Sequence, residues 1–153
     1  MNLKSDITIS YATIEDIPSM VTLLQQLFAI EKDFNFNEKR HAFGLQMLIE
    51  SKNSFVFIAK FKGKSVGMIT LQTLISTVSG AKSALLEDFV VDKNFTALGI
   101  GSLLFEHIKA FAYRHKFKRF QLVCDEDNTI AQTFYTKKSF KKSNLKAWYC
   151  SLE

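Results

Sequence analysis

Two adjacent acids, Glu87 and Asp88, lie at the centre of the apolar run Leu85-Leu86-Glu87-Asp88-Phe89-Val90-Val91. Carboxylates in such a run suit proton transfer or capture of a cation, because burial favours their protonated form and any charge that remains needs a partner. As neighbours on a strand they are expected on opposite faces of a sheet. One would then face a substrate, while the other needs a lysine, a hydroxyl or an open side of the sheet. Seven residues separate Val91 from Gly99-Ile100-Gly101, which stands directly before a helical pattern. Backbone N–H groups at a helix start, with the positive end of the helix dipole, favour a phosphate. The same glycines also suit close helix packing.

The spacing excludes two nucleotide-binding motifs. A dinucleotide fold runs its strand straight into the first glycine and carries a third glycine where this chain has Leu104, and a P-loop ends in Gly-Lys-Ser/Thr. No metal is expected. Cys124 and Cys150 lie far apart, and His41, His107 and His115 share no ligand spacing. Asp127-Asn128 precedes another helical pattern. By themselves, Asn128 reads as its cap and Tyr135 as a half-buried aromatic.

These residues need a scaffold. Ile7 to Ala12 reads as a strand, and Thr13-Ile14-Glu15-Asp16 as the start of a helix running to about Ile30, with apolar residues at three- and four-residue steps. A second helix is predicted over Glu38 to Glu50. Phe55 to Phe61 and Ser65 to Leu74 flank Lys62-Gly63-Lys64 as a hairpin, and Ser76 to Lys82 reads as a loop. A strand at Leu85 to Val91, a helix from about Gly101 to His115, a strand at Phe120 to Cys124, a helix at Thr129 to Lys138 and a strand near Ala147 to Leu152 complete the chain. The order βααββ-βαβαβ is α+β, with a mixed, mostly antiparallel sheet flanked by helices. Residues 1–153 are expected to form a single domain.

Composition agrees with a folded body: of 153 residues, 47% are hydrophobic, enough for a core without disulfides. No run has membrane-spanning length and the N-terminus has no basic and apolar leader pattern, so a cytoplasmic protein is expected. The net charge of +5 is concentrated late, with ten basic residues against three acids between Lys109 and Lys146. An anionic ligand and a merely solvated surface both fit this excess. Arg114 to Arg119 holds one aromatic, Phe117, which argues against a nucleic-acid stacking platform.

The segment Thr96-Ala97-Leu98-Gly99-Ile100-Gly101 resembles the Arg/Gln-x-x-Gly-x-Gly/Ala turn of the GNAT N-acetyltransferase superfamily, and the element order resembles that family throughout. Leu86-Glu87-Asp88-Phe89 is similar to the matching strand of the diamine (spermidine/spermine) acetyltransferases. Thr96 departs from the usual Arg or Gln, and Ala97 from a common glycine. The resemblance implies acetyl-CoA as co-substrate. The backbone of Phe89, Val90 and Val91 would pair with its pantetheine arm, while Ala97, Leu98, Gly99, Ile100, Gly101 and Ser102 would hold its pyrophosphate. It also implies that Asn128 contacts the cofactor, that the Tyr135 hydroxyl lies near the thioester sulfur, and that homodimers are an available assembly.

The chemistry implied is direct attack of a primary amine of a small molecule, such as a di- or polyamine or an amino-acid-like amine, on a thioester. Glu87 would take the amine proton, with Asp88 the second candidate and a substrate-binding group. A backbone N–H near Phe89 or Val90 would serve the oxyanion, and Tyr135 the departing sulfur. Glu31 and Asp33, between the first two helices, fall where the family builds its acceptor pocket, although both also read as solvated loop charges. Acetylation of protein lysines or N-termini, and a non-catalytic acyl-CoA-binding regulatory module, are the competing readings.

Overall fold

The computed structural model describes residues 3–31 and 33–153. The chain divides into two compact units, Met1–Gln121 and Leu122–Glu153. The first contains strands β1 (Ile7–Tyr11), β2 (Ser54–Phe61), β3 (Lys64–Ser76), β4 (Ala81–Val91) and β5 (Phe117–Gln121) and helices α1 (Ile17–Phe28), α2 (Glu38–Glu50) and α3 (Ile100–Arg114). The second contains helix α4 (Thr129–Lys137).

The sheet order is β1-β2-β3-β4-β5, antiparallel from β1 to β4, with β5 parallel to β4. Local chemistry sets the turns. Phe61 pairs with Lys64, leaving Lys62 and Gly63 as a two-residue loop with φ of 47° and 82°. Two consecutive positive φ values match the right-handed twist of the strands they join. Before α1, the Asp16 carboxylate accepts the Thr13 N–H at 2.8 Å and pairs with Lys60 at 2.6 Å. Pro18 falls in the first turn of α1, where its missing N–H costs nothing. The α2 start is capped by Asn37, whose Oδ1 accepts the Arg40 N–H at 3.0 Å.

Apolar side chains fill both faces of the sheet. Met20, Val21 and Leu24 of α1 and Leu45 of α2 pack with Val56, Ile58, Met68 and Val90 on one face. On the other, Phe57 of β2 meets Phe111 of α3 with ring centroids 5.2 Å apart. Leu104, Ile108 and Phe111 are wholly buried, each stabilising the fold by ~1.5–3 kcal/mol relative to exposure. Gly67 of β3 brings α3 close. A Cβ there would stand 3.1 Å from Leu104 Cδ1, 3.3 Å from the Val90 carbonyl oxygen and 3.4 Å from Ile100 Cγ2.

Two expectations are corrected. The strand expected at Phe120 to Cys124 forms at Phe117–Gln121, so Leu122 to Cys124 lie beyond it. The final strand expected near Ala147 to Leu152 is not formed: among the described residues, Leu122–Glu153 contains no strand. Trp148, Tyr149 and Leu152 are exposed. The run Ala147-Trp148-Tyr149-Cys150 has strand-like composition, but a strand needs a neighbour to satisfy its backbone groups, and its own unit has none to offer. Among the described residues, no helix is long and apolar enough to cross a membrane.

Candidate active site

The β3–β4 ladder slips at the acid pair. Thr70 pairs with Glu87 and Met68 with Val90, so the single residue Ile69 stands opposite Asp88 and Phe89. Asp88 takes φ of 50°, a left-handed conformation that Asp tolerates better than most residues. This bulge breaks the alternation of side chains. Thr70 and Glu87, directly opposed, share a face, and the Thr70 hydroxyl donates to Asp88 Oδ2 at 3.0 Å. Glu87 and Asp88 therefore line the same cleft, and the expectation that they face opposite sides is overturned.

That cleft has a volume of ≈ 410 Å³. Leu24 and Phe28 of α1 form one wall, and Leu45, Met47 and Leu48 of α2 another. Arg40 and His41 lie on the first turn of α2 and also line it, with Gly44 one turn further on. Gln72 and Ser54 add polar edges from the sheet. The His41 ring packs 4.7 Å from Phe28 and 5.3 Å from Phe36, and its Nε2 accepts the Asn37 N–H at 2.8 Å.

Both acids bind protons more tightly than usual. Burial pushes the Glu87 carboxyl up, and the neighbouring Asp88 charge adds to it. Glu87 still opens to solvent at the cleft mouth. For Asp88, burial again dominates and raises its proton affinity, against the Thr70 hydrogen bond and the nearby His41 side chain. An amine entering as a cation would meet a site that attracts it and can accept its proton.

The second feature is the edge of β4 and the turn after it. β5 pairs with β4 only as far as Leu85, opposite Gln121, and among the described residues no strand continues that pairing along Leu86 to Val91. After Val91 the Asp92 carboxylate accepts the Asn94 N–H at 2.9 Å, and the Thr96 hydroxyl donates to the Lys93 carbonyl at 3.2 Å. Thr96 thus shapes the turn. Ala97 has φ of 61°, and Gly99, the residue before α3, has φ of 83° and supplies no side-chain cap. The first intrahelical bond runs from the Leu103 N–H to the Gly99 carbonyl at 3.0 Å. The N–H groups of Ile100, Gly101 and Ser102 precede it in the turn where helix donors lack intrahelical acceptors. Backbone donors so placed can receive an anionic group.

The remaining candidates are distributed otherwise. Glu31 is half-buried and Asp33 exposed, and neither lines the cleft. Asn128 and Tyr135 belong to the second unit. Asn128 caps α4, its Oδ1 accepting the Ala131 N–H at 3.1 Å. The half-buried Tyr135 ring packs 5.6 Å from Phe134 and 5.5 Å from Phe140. Among the described residues no group of three or more His, Cys, Asp or Glu is placed to hold a metal ion. Sequence reasoning missed Arg40, His41, Gln72 and the buried Thr70 as parts of the site. The available signal was the Arg40 and Gly44 pair, four residues apart, which leaves a charged head beside an open notch on one helix face.

Solved structures share this fold. An aminoglycoside acetyltransferase from an uncultured soil metagenomic sample, in complex with sisomicin, is 23% identical, covers 99% of both chains and superposes with a TM-score of 0.82. A possible acetyltransferase from Clostridium difficile 630 gives a TM-score of 0.84 at 16% identity, over 96% of this chain and 98% of its own. Glucosamine-6-phosphate N-acetyltransferase from Arabidopsis thaliana gives 0.73 at 16% identity, over 94% and 97%. Residues 21–140 match the sequence model of the family described as Acetyltransferase (GNAT) family. With the family match spanning most of the chain and the acid-bearing bulge and helix-start turn both falling inside it, the protein belongs to the GNAT family of acetyltransferases.

Proposed function

We propose that this protein is an acetyl-CoA-dependent N-acetyltransferase that acts on a primary amine of a small molecule, with residues 1–153 working as one catalytic domain. The observation that carries the reading is the bulge that turns Glu87 and Asp88 into one cleft, on the strand that leads into the turn before α3.

Acetyl-CoA, when bound, supplies an acetyl group activated as a thioester. The backbone of Phe89, Val90 and Val91 offers strand-like pairing to its pantetheine arm, and the backbone from Ala97 to Ser102 holds its pyrophosphate. Within the cleft, Asp88 and Glu87 attract the ammonium form of the acceptor. Glu87, the more open of the two and raised in proton affinity, takes the proton directly or through a water, freeing the nitrogen lone pair. A backbone N–H near Phe89 or Val90 would stabilise the oxygen that gains charge, and the departing sulfur would take a proton from water. The apolar side chains of α1 and α2 line the cleft beside the reacting amine.

The test is thiol release from acetyl-CoA against a panel of small amines, beside a lysine-bearing peptide and with thermal melting in coenzyme A. Release with small amines supports the reading. Melting stabilisation without release from any acceptor would mark a binding module, and release with the peptide alone would mark a protein acetyltransferase.

A further inference from the structure

The cleft carries charges of both signs. Glu87, Asp88 and the exposed Arg40 all line it, together with the apolar side chains of Phe28, Met47 and Leu48. Arg40 makes no ion pair with either acid, although an arginine free to reach a carboxylate gains from a two-pronged contact. The opposite charges of the lining are thus not paired with one another. A cation and two carboxylates left unpaired with each other in a partly apolar lining complement a ligand that carries both charges on an aliphatic frame.

We infer that the acceptor is a zwitterion, an amine that also bears a carboxylate or phosphate, with the anionic end on Arg40 and the amine at Glu87 and Asp88. The inference rests on the amine-acetyltransferase reading and narrows it, because a diamine or polyamine of the same length would place a second cation against Arg40. His41 does not take Arg40's place, since its Nε2 already accepts the Asn37 N–H. The guanidinium fork suits carboxylate and phosphate alike.

The experiment compares kcat/KM for γ-aminobutyrate, putrescine and butylamine, which share a chain length, and adds β-alanine against phosphoethanolamine to separate the two anions. Wild-type protein should prefer γ-aminobutyrate to putrescine by about 10-fold or more, the scale of one charge-assisted contact. In Arg40→Gln the ratio of γ-aminobutyrate to butylamine should fall by about 10-fold, and Arg40→Lys should restore part of it. Preference for putrescine in the wild type, or an unchanged ratio in Arg40→Gln, would overturn the inference. Calorimetric titration of the same amines gives a readout independent of turnover. If no amine releases thiol yet γ-aminobutyrate binds through Arg40, the transferase reading fails and the zwitterion site stands; if none binds, the inference fails.

Discussion

Thr70, wholly buried on β3, donates its hydroxyl hydrogen to Asp88 Oδ2 at 3.0 Å on β4. The bond pins the carboxylate that the bulge has turned into the cleft. It also opposes the effect of burial by favouring the charged form.

Thr70→Val keeps the shape and removes the donor. The Asp88 proton affinity should rise further; a neutral Asp88 no longer raises Glu87, so the acid limb that Glu87 sets should move to lower pH, and the fold should lose ~1–2 kcal/mol. Thermal melting and a pH series on thiol release check both. An unmoved acid limb would separate Asp88 from the reaction.

Glu87→Gln should lower kcat by ~10²–10⁴-fold while melting stabilisation by coenzyme A persists. Because burial and Asp88 raise the Glu87 proton affinity, the wild-type rate should climb with pH above the ordinary glutamate range as the carboxylate forms. That limb should flatten in the variant. Loss of coenzyme A stabilisation instead would give Glu87 a structural role.

Ala97 holds φ of 61°, a conformation costing a non-glycine residue ~1–2 kcal/mol. Ala97→Gly should remove that strain, less the extra flexibility of the unfolded chain, for a gain of ~0.5–1 kcal/mol and a melting point higher by roughly 2 °C. Ala97→Val should destabilise the turn and weaken coenzyme A binding together. A lower melting point for Ala97→Gly would contradict this.

At Asp16, burial favours the neutral acid, but Lys60 and Thr13 outweigh it and hold the carboxyl below its usual range. A depressed folded value means that the contribution is complete above the unfolded carboxyl range and disappears as pH falls through the folded one. Asp16→Asn should therefore cost ~1–2 kcal/mol near neutral pH. Its melting point should converge with the wild type in acid. Parallel curves at all pH values would show that the lost charge is irrelevant.

Much of the frame could be read from local chemistry. The Lys62-Gly63 turn, the α2 span and the start of α3 each depend on residues within a few positions, and all were found where composition and spacing put them. The acid pair and glycine turn stood out because both conflict with an ordinary strand and helix. What local reading lost was relational. The bulge depends on how β4 is registered against β3, and nothing in Glu87-Asp88 itself says that the pair will share a face. Arg40 and His41 become cleft residues only when α2 packs beside the sheet, and a solvated helix face would show the same letters. The run at Ala147 to Leu152 failed for the converse reason, having strand composition without a partner in its own unit.

Gly67 carries no reacting group, yet a single methyl there would meet Leu104, Ile100 and the Val90 carbonyl. Ile100 opens α3, and Val90 closes the bulge that aims the acids. The missing side chain is therefore a mechanical spacer that sets the clearance between β3 and the start of α3, and with it the spacing of the two seats proposed for donor and acceptor. Damage at this position would misalign two intact parts and leave every reacting group in place.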